Sequence, residues 1–324
     1  MNSDGRLWDV IVVGGGASGL AGAMALARSR RSVLVVDAAE PRNATAGHVH
    51  NFLTRDGTPP ADLLAAGRAE VEAYGGSVVA GRVHVVAATE DGFAVHLGDD
   101  GSEPLGARRL LVTTGVTDEL PTLPGLRERW GRDVLHCPYC HGWEVRDRAI
   151  GVLNSPMAVH QALLFRQLSD DVVLFAHTGP QPAGEDLDRL VGRGIRVVDG
   201  QVAGLEVHED ALRGVRLTSE ETVTRDALVV APRFRPNAPF LEPLGLAPVP
   251  IRRHEAVLGE HLPSDPMSGA TTIPGVYLAG NVTDPMAQVI GAANAGLRAG
   301  AAINADLVMA EADVAADRTR VAAG

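Results

Sequence analysis

The sequence contains no lysine; all 29 of its Lys and Arg positions are arginine. That excludes Schiff-base catalysis and a phosphate-loop lysine, since both need a primary amine. Cysteine is almost absent too, with only Cys137 and Cys140 in 324 residues. Positive charge is short: the net charge of -11 argues against a general nucleic-acid surface, which needs clustered basic residues to displace counterions. No apolar run reaches the roughly 18 residues of a membrane-spanning helix. An apolar run begins at Trp8, which leaves no room for a signal peptide, and a cytoplasmic location is expected. In that reducing compartment a lone pair of cysteines three positions apart is catalytic or metal-binding more often than a staple. With 45% hydrophobic and 21% charged residues the chain is ordinary and globular, long enough for two cores.

Residues 8–13 (WDVIVV) read as a buried parallel strand, and Leu20 to Ser29 as a helix with small residues on its inner face. Ser32 to Val36 is a second strand, ending at Asp37. Together they form a βαβ unit, which implies a parallel sheet covered by helices. Residues 75–117 read as short alternating strands separated by Gly and Asp turns. A second βαβ pattern starts at Ala149, with strand AIGVL, helix MAVHQALLFRQL and strand DVVLFA. Arg233 to Pro250 is expected to be a Pro-rich connector to a strand at 276–280 and a closing helix rich in Ala and Gly. The last twenty or so residues read as an exposed helix or a frayed tail.

Between the first strand and the first helix lies Gly14-x-Gly16-x-x-Gly19. The first glycine allows a tight turn, the second lets backbone approach a pyrophosphate, and the third lets helix pack close to strand. Asp37 follows at the distance of a ribose-binding acid. Strand, turn, helix and acid in this order predict a bound dinucleotide.

His136-Cys137-Pro138-Tyr139-Cys140-His141 carries the second signal. CxxC spacing lets two sulfurs close a small ring and lowers the attacking thiol's pKa. The same string matches a c-type haem attachment site, offers four candidate zinc ligands, and is compatible with two inert buried cysteines. Beside a dinucleotide fold, a redox-active pair with no metal is the expectation.

With these motifs in place the chain resembles the thioredoxin reductase family of FAD-dependent pyridine nucleotide-disulfide oxidoreductases over nearly its whole length. The matching segments are GGGASG, LLVTTG, CPYC, FRPNAPF and TIPGVYLAGNVT, in that order. The resemblance implies an α/β fold of two Rossmann-like, doubly wound, three-layer domains. Residues 1–117 and 239–324 would form a discontinuous FAD domain, and 118–238 an inserted module of the NADPH-domain type carrying the cysteines. Gly280 and Asn281 would lie beside the flavin, with Gln288 and Val289 opening a helix aimed at it, where a helix N-terminus favours negative charge. The family usually has Asp at the position of Asn281; an amide still accepts a hydrogen bond. Ala17, Ser18, Ala38, Arg42, Asn43, Asn51, Val83, Thr114 and Gly115 are implied as further FAD contacts. The relatives are homodimers, so a homodimer is expected.

The second nucleotide loop departs from the family pattern. Asn154-Ser155-Pro156-Met157-Ala158 lacks the close-approach glycines, and Pro156 has no N–H for a phosphate. The next strand ends without an acid for a ribose or an arginine for a 2′-phosphate. NADPH is therefore not expected to bind. The string HCxxCHGWE resembles the small-molecule dithiol oxidases of natural-product biosynthesis, with the holomycin type nearest, and His136, His141 and Glu144 carry that match. The expected function is oxidation of a small-molecule dithiol through Cys137–Cys140, with O₂ accepting the electrons and giving H₂O₂. The main alternative is a disulfide reductase fed by ferredoxin or NADPH and acting on thioredoxin. A third reading is a flavin-bound redox sensor or dithiol-sequestering protein. Catalytic roles fall to Cys137, Cys140, His141 and His136; the other histidines show no recognisable spacing and read as surface or satisfied core residues.

Overall fold

The computed structural model describes residues 6–98, 103–253 and 255–323. Two Rossmann-type α/β units carry the fold. In the first, Leu7–Val13 is fully buried at Val10, Ile11 and Val12, the pattern of a strand covered on both faces. It pairs in parallel with Val33–Asp37 on one side and Leu105–Val112 on the other. Ser77–Ala80 and Val276–Leu278 add further parallel strands, and Val83–Thr89 with Gly92–Leu97 complete a seven-stranded sheet in antiparallel fashion.

Helix Ala17–Arg28 covers this sheet and is itself crossed by the long helix Val289–Ala323. The crossing is backbone against backbone. A Cβ on Gly296 would sit 1.8 Å from the Ser18 carbonyl oxygen. Small residues here have a packing cause: they bring the two helix axes together over the dinucleotide loop. The last stretch of the long helix, from Glu311 onward, is exposed but helical, so of the two readings of the tail the helix holds.

The second unit is a five-stranded parallel sheet in the order Arg196–Val198, Val172–Phe175, Ile150–Leu153, Ala227–Val229, Val134–Leu135. Alternate residues of its strands face two different layers. Ile150, Val152, Val172 and Leu174 pack on helix Ala158–Phe165. Leu153, Val173 and Phe175 pack instead on the antiparallel ribbon Val202–His208, Ala211–Leu217 and Thr222–Thr224. Full burial of a side chain such as Phe165 contributes about 1.5–3 kcal/mol.

Where a plain connector is expected at 233–250, the chain instead builds structure. Arg233–Pro236 pairs antiparallel with Val116–Glu119, and a hairpin of Val249–Arg253 and Ala256–His261 completes a four-stranded sheet. The hairpin is invisible in composition because Val249–Arg253 is an edge strand. An edge tolerates Pro250 and the paired arginines that a central strand would reject.

Candidate active site

Both sulfurs and the glycine loop open on one cavity of about 760 Å³. The loop's geometry fits its three roles separately. Gly14 has φ 108, and a Cβ there would lie 2.7 Å from the Thr113 carbonyl oxygen. A Cβ on Gly19 would lie 1.9 Å from the Gly14 carbonyl oxygen, so only glycine lets the helix start this close to the strand. Gly16 differs, because nothing lies within 4 Å of its Cβ position and it faces the cavity. Packing within the protein gives no reason for glycine there; a ligand approaching the backbone does.

Orphaned polar atoms point the same way. Ser18 Oγ and Thr114 Oγ1 are buried without a hydrogen-bond partner among the described residues, and both residues line the cavity. Each would cost about 1–3 kcal/mol unless a ligand completes it. Asp37 closes the second strand, accepting the Gly15 N–H at 3.1 Å on one carboxylate oxygen and facing Arg68 at 3.3 Å with the other. The donor set and the open backbone suit the pyrophosphate and ribose of a dinucleotide.

Of the residues singled out for the cofactor, Gly14, Gly16, Ala17, Ser18, Asp37, Ala38, Arg42, Asn43, Val83, Thr114, Gly115, Asn281, Gln288 and Val289 line the cavity. Gly19, Asn51 and Gly280 do not. Gly19 supports the loop from behind, and Gly280 packs on Ser18, where its own Cβ would lie 2.8 Å from the serine Cβ. Asn51 faces the cysteine helix, donating from Nδ2 to the Tyr139 carbonyl at 2.6 Å. Arg42 lines the cavity with its guanidinium committed to protein. It forms a two-pronged pair with Asp118 at 2.8 and 2.6 Å and donates to the Pro285 carbonyl at 2.7 Å.

Asn281 acts as a donor rather than only as an acceptor. Its Nδ2 faces three carbonyls, those of Asp284 at 3.0 Å, Ala287 at 2.9 Å and Pro285 at 3.4 Å. A carboxylate could make none of these bonds. The amide therefore ties down the turn that delivers Gln288 and Val289 to the start of the long helix.

The cysteines sit on a short helix, Pro138–His141, with Cys137 as its N-terminal cap and Pro138 in the first turn. Proline suits that position because its missing N–H would have no partner there anyway. The sulfurs are 2.7 Å apart. The pair is polarised. A hydrogen bond from the Cys140 thiol, then the N–H groups of Cys140 and Tyr139 and the charge of Arg42, pull the Cys137 pKa down to about 7 against the opposing effect of burial. Cys140 moves up, because its proton is held by Cys137 and burial disfavours a second charge. One shared negative charge thus rests on Cys137.

Two histidines flank the pair. His136 Nδ1 lies 3.0 Å from the Val230 carbonyl and must carry the proton to donate there, which leaves Nε2 as a buried acceptor without a partner among the described residues. Phe234 packs edge-on against its ring at 5.8 Å, and Gln161 Nε2 donates to its backbone carbonyl at 3.1 Å. His141 also has a buried Nε2 with no partner among the described residues, and lines the cavity. Burial lowers the pKa of both rings, so both are neutral bases at neutral pH.

His48 and His50, which no spacing singles out, also line this cavity. They arrive on the loop between Val33–Asp37 and helix Pro60–Ala73, and only tertiary folding brings them to the cysteines. In the second unit, Asn154 follows strand Ile150–Leu153 as Gly14 follows strand Leu7–Val13 in the first. Its Nδ2 donates to the carbonyls of Ala176 at 3.0 Å and Pro180 at 2.8 Å, bridging the ends of two neighbouring strands.

Comparison with known proteins identifies the family. The family described as pyridine nucleotide-disulphide oxidoreductase matches residues 8–300. The crystal structure of HlmI superposes with a TM-score of 0.87 at 45% identity, covering 98% of this chain and 99% of that one. An oxidoreductase from Agrobacterium tumefaciens gives 0.86 at 36% identity, covering 94% and 99%. A thioredoxin reductase named tcpT from Claviceps purpurea is 29% identical over 297 residues, 86% of this chain and 88% of that protein. The fold is that of the thioredoxin reductases, and the family implies a flavin cofactor. The chain belongs to the pyridine nucleotide-disulphide oxidoreductase family, as a thioredoxin reductase-like flavin-dependent thiol-disulfide oxidoreductase.

Proposed function

We propose that the protein is an FAD-dependent dithiol oxidase that closes a disulfide in a small-molecule dithiol, with O₂ as the final acceptor and H₂O₂ as the by-product. The observation that carries this reading is that both sulfurs, the two neutral histidines and the glycine loop share one cavity. Residues 1–117 and 239–324 are taken as the flavin module and 118–238 as the insert. Gly14, Gly16, Ser18, Asp37, Thr114 and Asn281 would hold the cofactor, which supplies a two-electron acceptor for the thiol pair and a route to oxygen.

The protein's own residues account for the sulfur chemistry. In the resting state Cys137 and Cys140 are joined as a disulfide. A substrate thiol loses its proton to His141 and attacks Cys137; the bond between the cysteines breaks, leaving Cys140 as thiolate. The second substrate thiol then attacks the sulfur of its own first thiol, and Cys137 leaves. The N–H groups that stabilise negative charge on Cys137 make it a good leaving group in this second step. His136, fixed by Val230 and Phe234, presents Nε2 as a second acceptor beside the pair.

Asn154 supports the oxidase direction. With its amide bonded across two strand ends, the insert offers a side chain where a nicotinamide-using enzyme offers glycine. NADPH would then have no seat, and dithiol becomes the source of electrons. Relatives named thioredoxin reductases favour a second reading, reduction of thioredoxin with electrons from NADPH or ferredoxin. By family analogy the enzyme works as a cytoplasmic homodimer.

Anaerobic stopped-flow absorbance separates the readings. Dithiothreitol is expected to bleach the flavin, with recovery and peroxide when air is admitted, while NADPH and NADH leave it oxidised. Rapid bleaching by NADPH would overturn the oxidase assignment. Cys137→Ser and Cys140→Ser should each lower dithiol turnover by at least about a thousandfold with flavin still bound.

A further inference from the structure

Glu144 belongs to the histidine–cysteine string yet takes no part in sulfur exchange. Its Oε1 lies 3.4 Å from His50 Nε2, and the other ring nitrogen of His50, Nδ1, lies 3.3 Å from Asp56 Oδ2. The second oxygen of Asp56 accepts the Asn51 N–H at 2.8 Å, which fixes the loop. Side-chain exposure is 41% at Glu144, 22% at His50 and 66% at Asp56, so Asp56 is the most open of the three to solvent. Glu144 and His50 are also the two groups whose charge His141 feels, the first favouring a proton on it and the second opposing one, on top of the dominant lowering by burial.

The geometry points to a proton exit, in which a proton taken from a substrate thiol at His141 passes by Glu144 and the His50 ring to Asp56 and solvent. This rests on the reading of the cavity as a site of thiol–disulfide exchange. Forming one disulfide from a dithiol breaks two S–H bonds. The electron pair goes to the Cys137–Cys140 bond, which breaks; Cys140 keeps one of the two protons in the reduced pair, and the other must leave. His141 is half-buried with its Nε2 out of reach of solvent, and burial disfavours a charge on it, so a base in that position has to be emptied before it serves again.

His50 has the chemistry of a relay. Both ring nitrogens face carboxylate oxygens, and an ionised carboxylate only accepts. A neutral ring donates to one of them; a ring with an added proton donates to both. The charged and titratable neighbours are Asp56 and His48 on its own loop, Glu144 on the turn Trp143–Val145 and His141 on the cysteine helix. A proton resting on His50 disfavours one on His141 and so returns it to its basic form. Glu144 and His50 act through His141 and are positioning residues for the reaction.

The test compares wild type with Glu144→Gln and His50→Gln holoenzyme, oxidised and then mixed anaerobically with dithiothreitol from pH 6 to 10. Protein thiols released are counted by acid quench and maleimide labelling, and flavin bleaching is recorded in parallel. Both variants should release thiols about tenfold more slowly near pH 6.5 and approach wild type above pH 9. At high pH the probe's thiols ionise without help, since a free thiol titrates near about 8.5. Glu144→Asp should recover part of the loss. Equal slowing at every pH, or wild-type rates at pH 6.5, would overturn the exit. If thiols appear with the expected profile but the flavin never bleaches, the exit stands and the oxidase reading falls.

Discussion

At the scale of single residues, the site is organised by where charge is allowed to rest. Cys137 collects it, through the thiol of Cys140 and two backbone N–H groups, while Cys140 keeps the proton. In the reduced enzyme, alkylation by iodoacetamide should therefore follow a titration near pH 7, fast above it and lost as the pH falls below. The modified residue found by mass spectrometry should be Cys137. A midpoint near that of a free thiol would contradict the polarised pair. Asn281 gives a second prediction at this scale. Asn281→Asp replaces a donor to three carbonyls by a charge facing them, and urea unfolding should report a loss of about 2 kcal/mol. An unchanged midpoint would show that the amide's bonds do not hold the turn.

At the scale of elements, the contact between helices Ala17–Arg28 and Val289–Ala323 sets the shape of the dinucleotide loop. Gly296→Ala drives a Cβ into the Ser18 carbonyl, backbone that cannot rotate away, and should destabilise the protein by about 2–3 kcal/mol in denaturant titration. Weaker flavin retention should accompany it, because Ser18 lines the cavity. The glycine loop, Asp37 and the CxxC pair were legible in the sequence because each is a local arrangement marked by its spacing. The hairpin at Val249–Arg253 and Ala256–His261 was not, since an edge strand carries no strong apolar alternation. Nor were His48 and His50, whose importance comes from a loop folding against the cysteine helix, and no spacing encodes that contact. Asn281 was visible as a departure from the family pattern, but its donor role needed the carbonyls of 284–287 in place.

At the scale of the molecule, the two units meet around the site through contacts made by quite different segments. Asn51 reaches the Tyr139 carbonyl, His50 reaches Glu144, and Arg253 contacts the sulfur of Met157 in the altered nucleotide loop. The cavity they enclose brings a sulfur pair and the dinucleotide loop together, and this gives the enzyme a storage capacity. On the oxidase reading, the thiol pair and the flavin can each hold one pair of electrons, so each chain can be charged twice before oxygen arrives. Anaerobic dithionite titration should consume about two equivalents per subunit in wild type and about one in Cys140→Ser, each equivalent being one two-electron step. Dithiol and oxygen would then never need to be present together. The protein would work as a small rechargeable cell, filled by one visitor and discharged by the next, and steady-state rates should give parallel lines when the two are varied against each other.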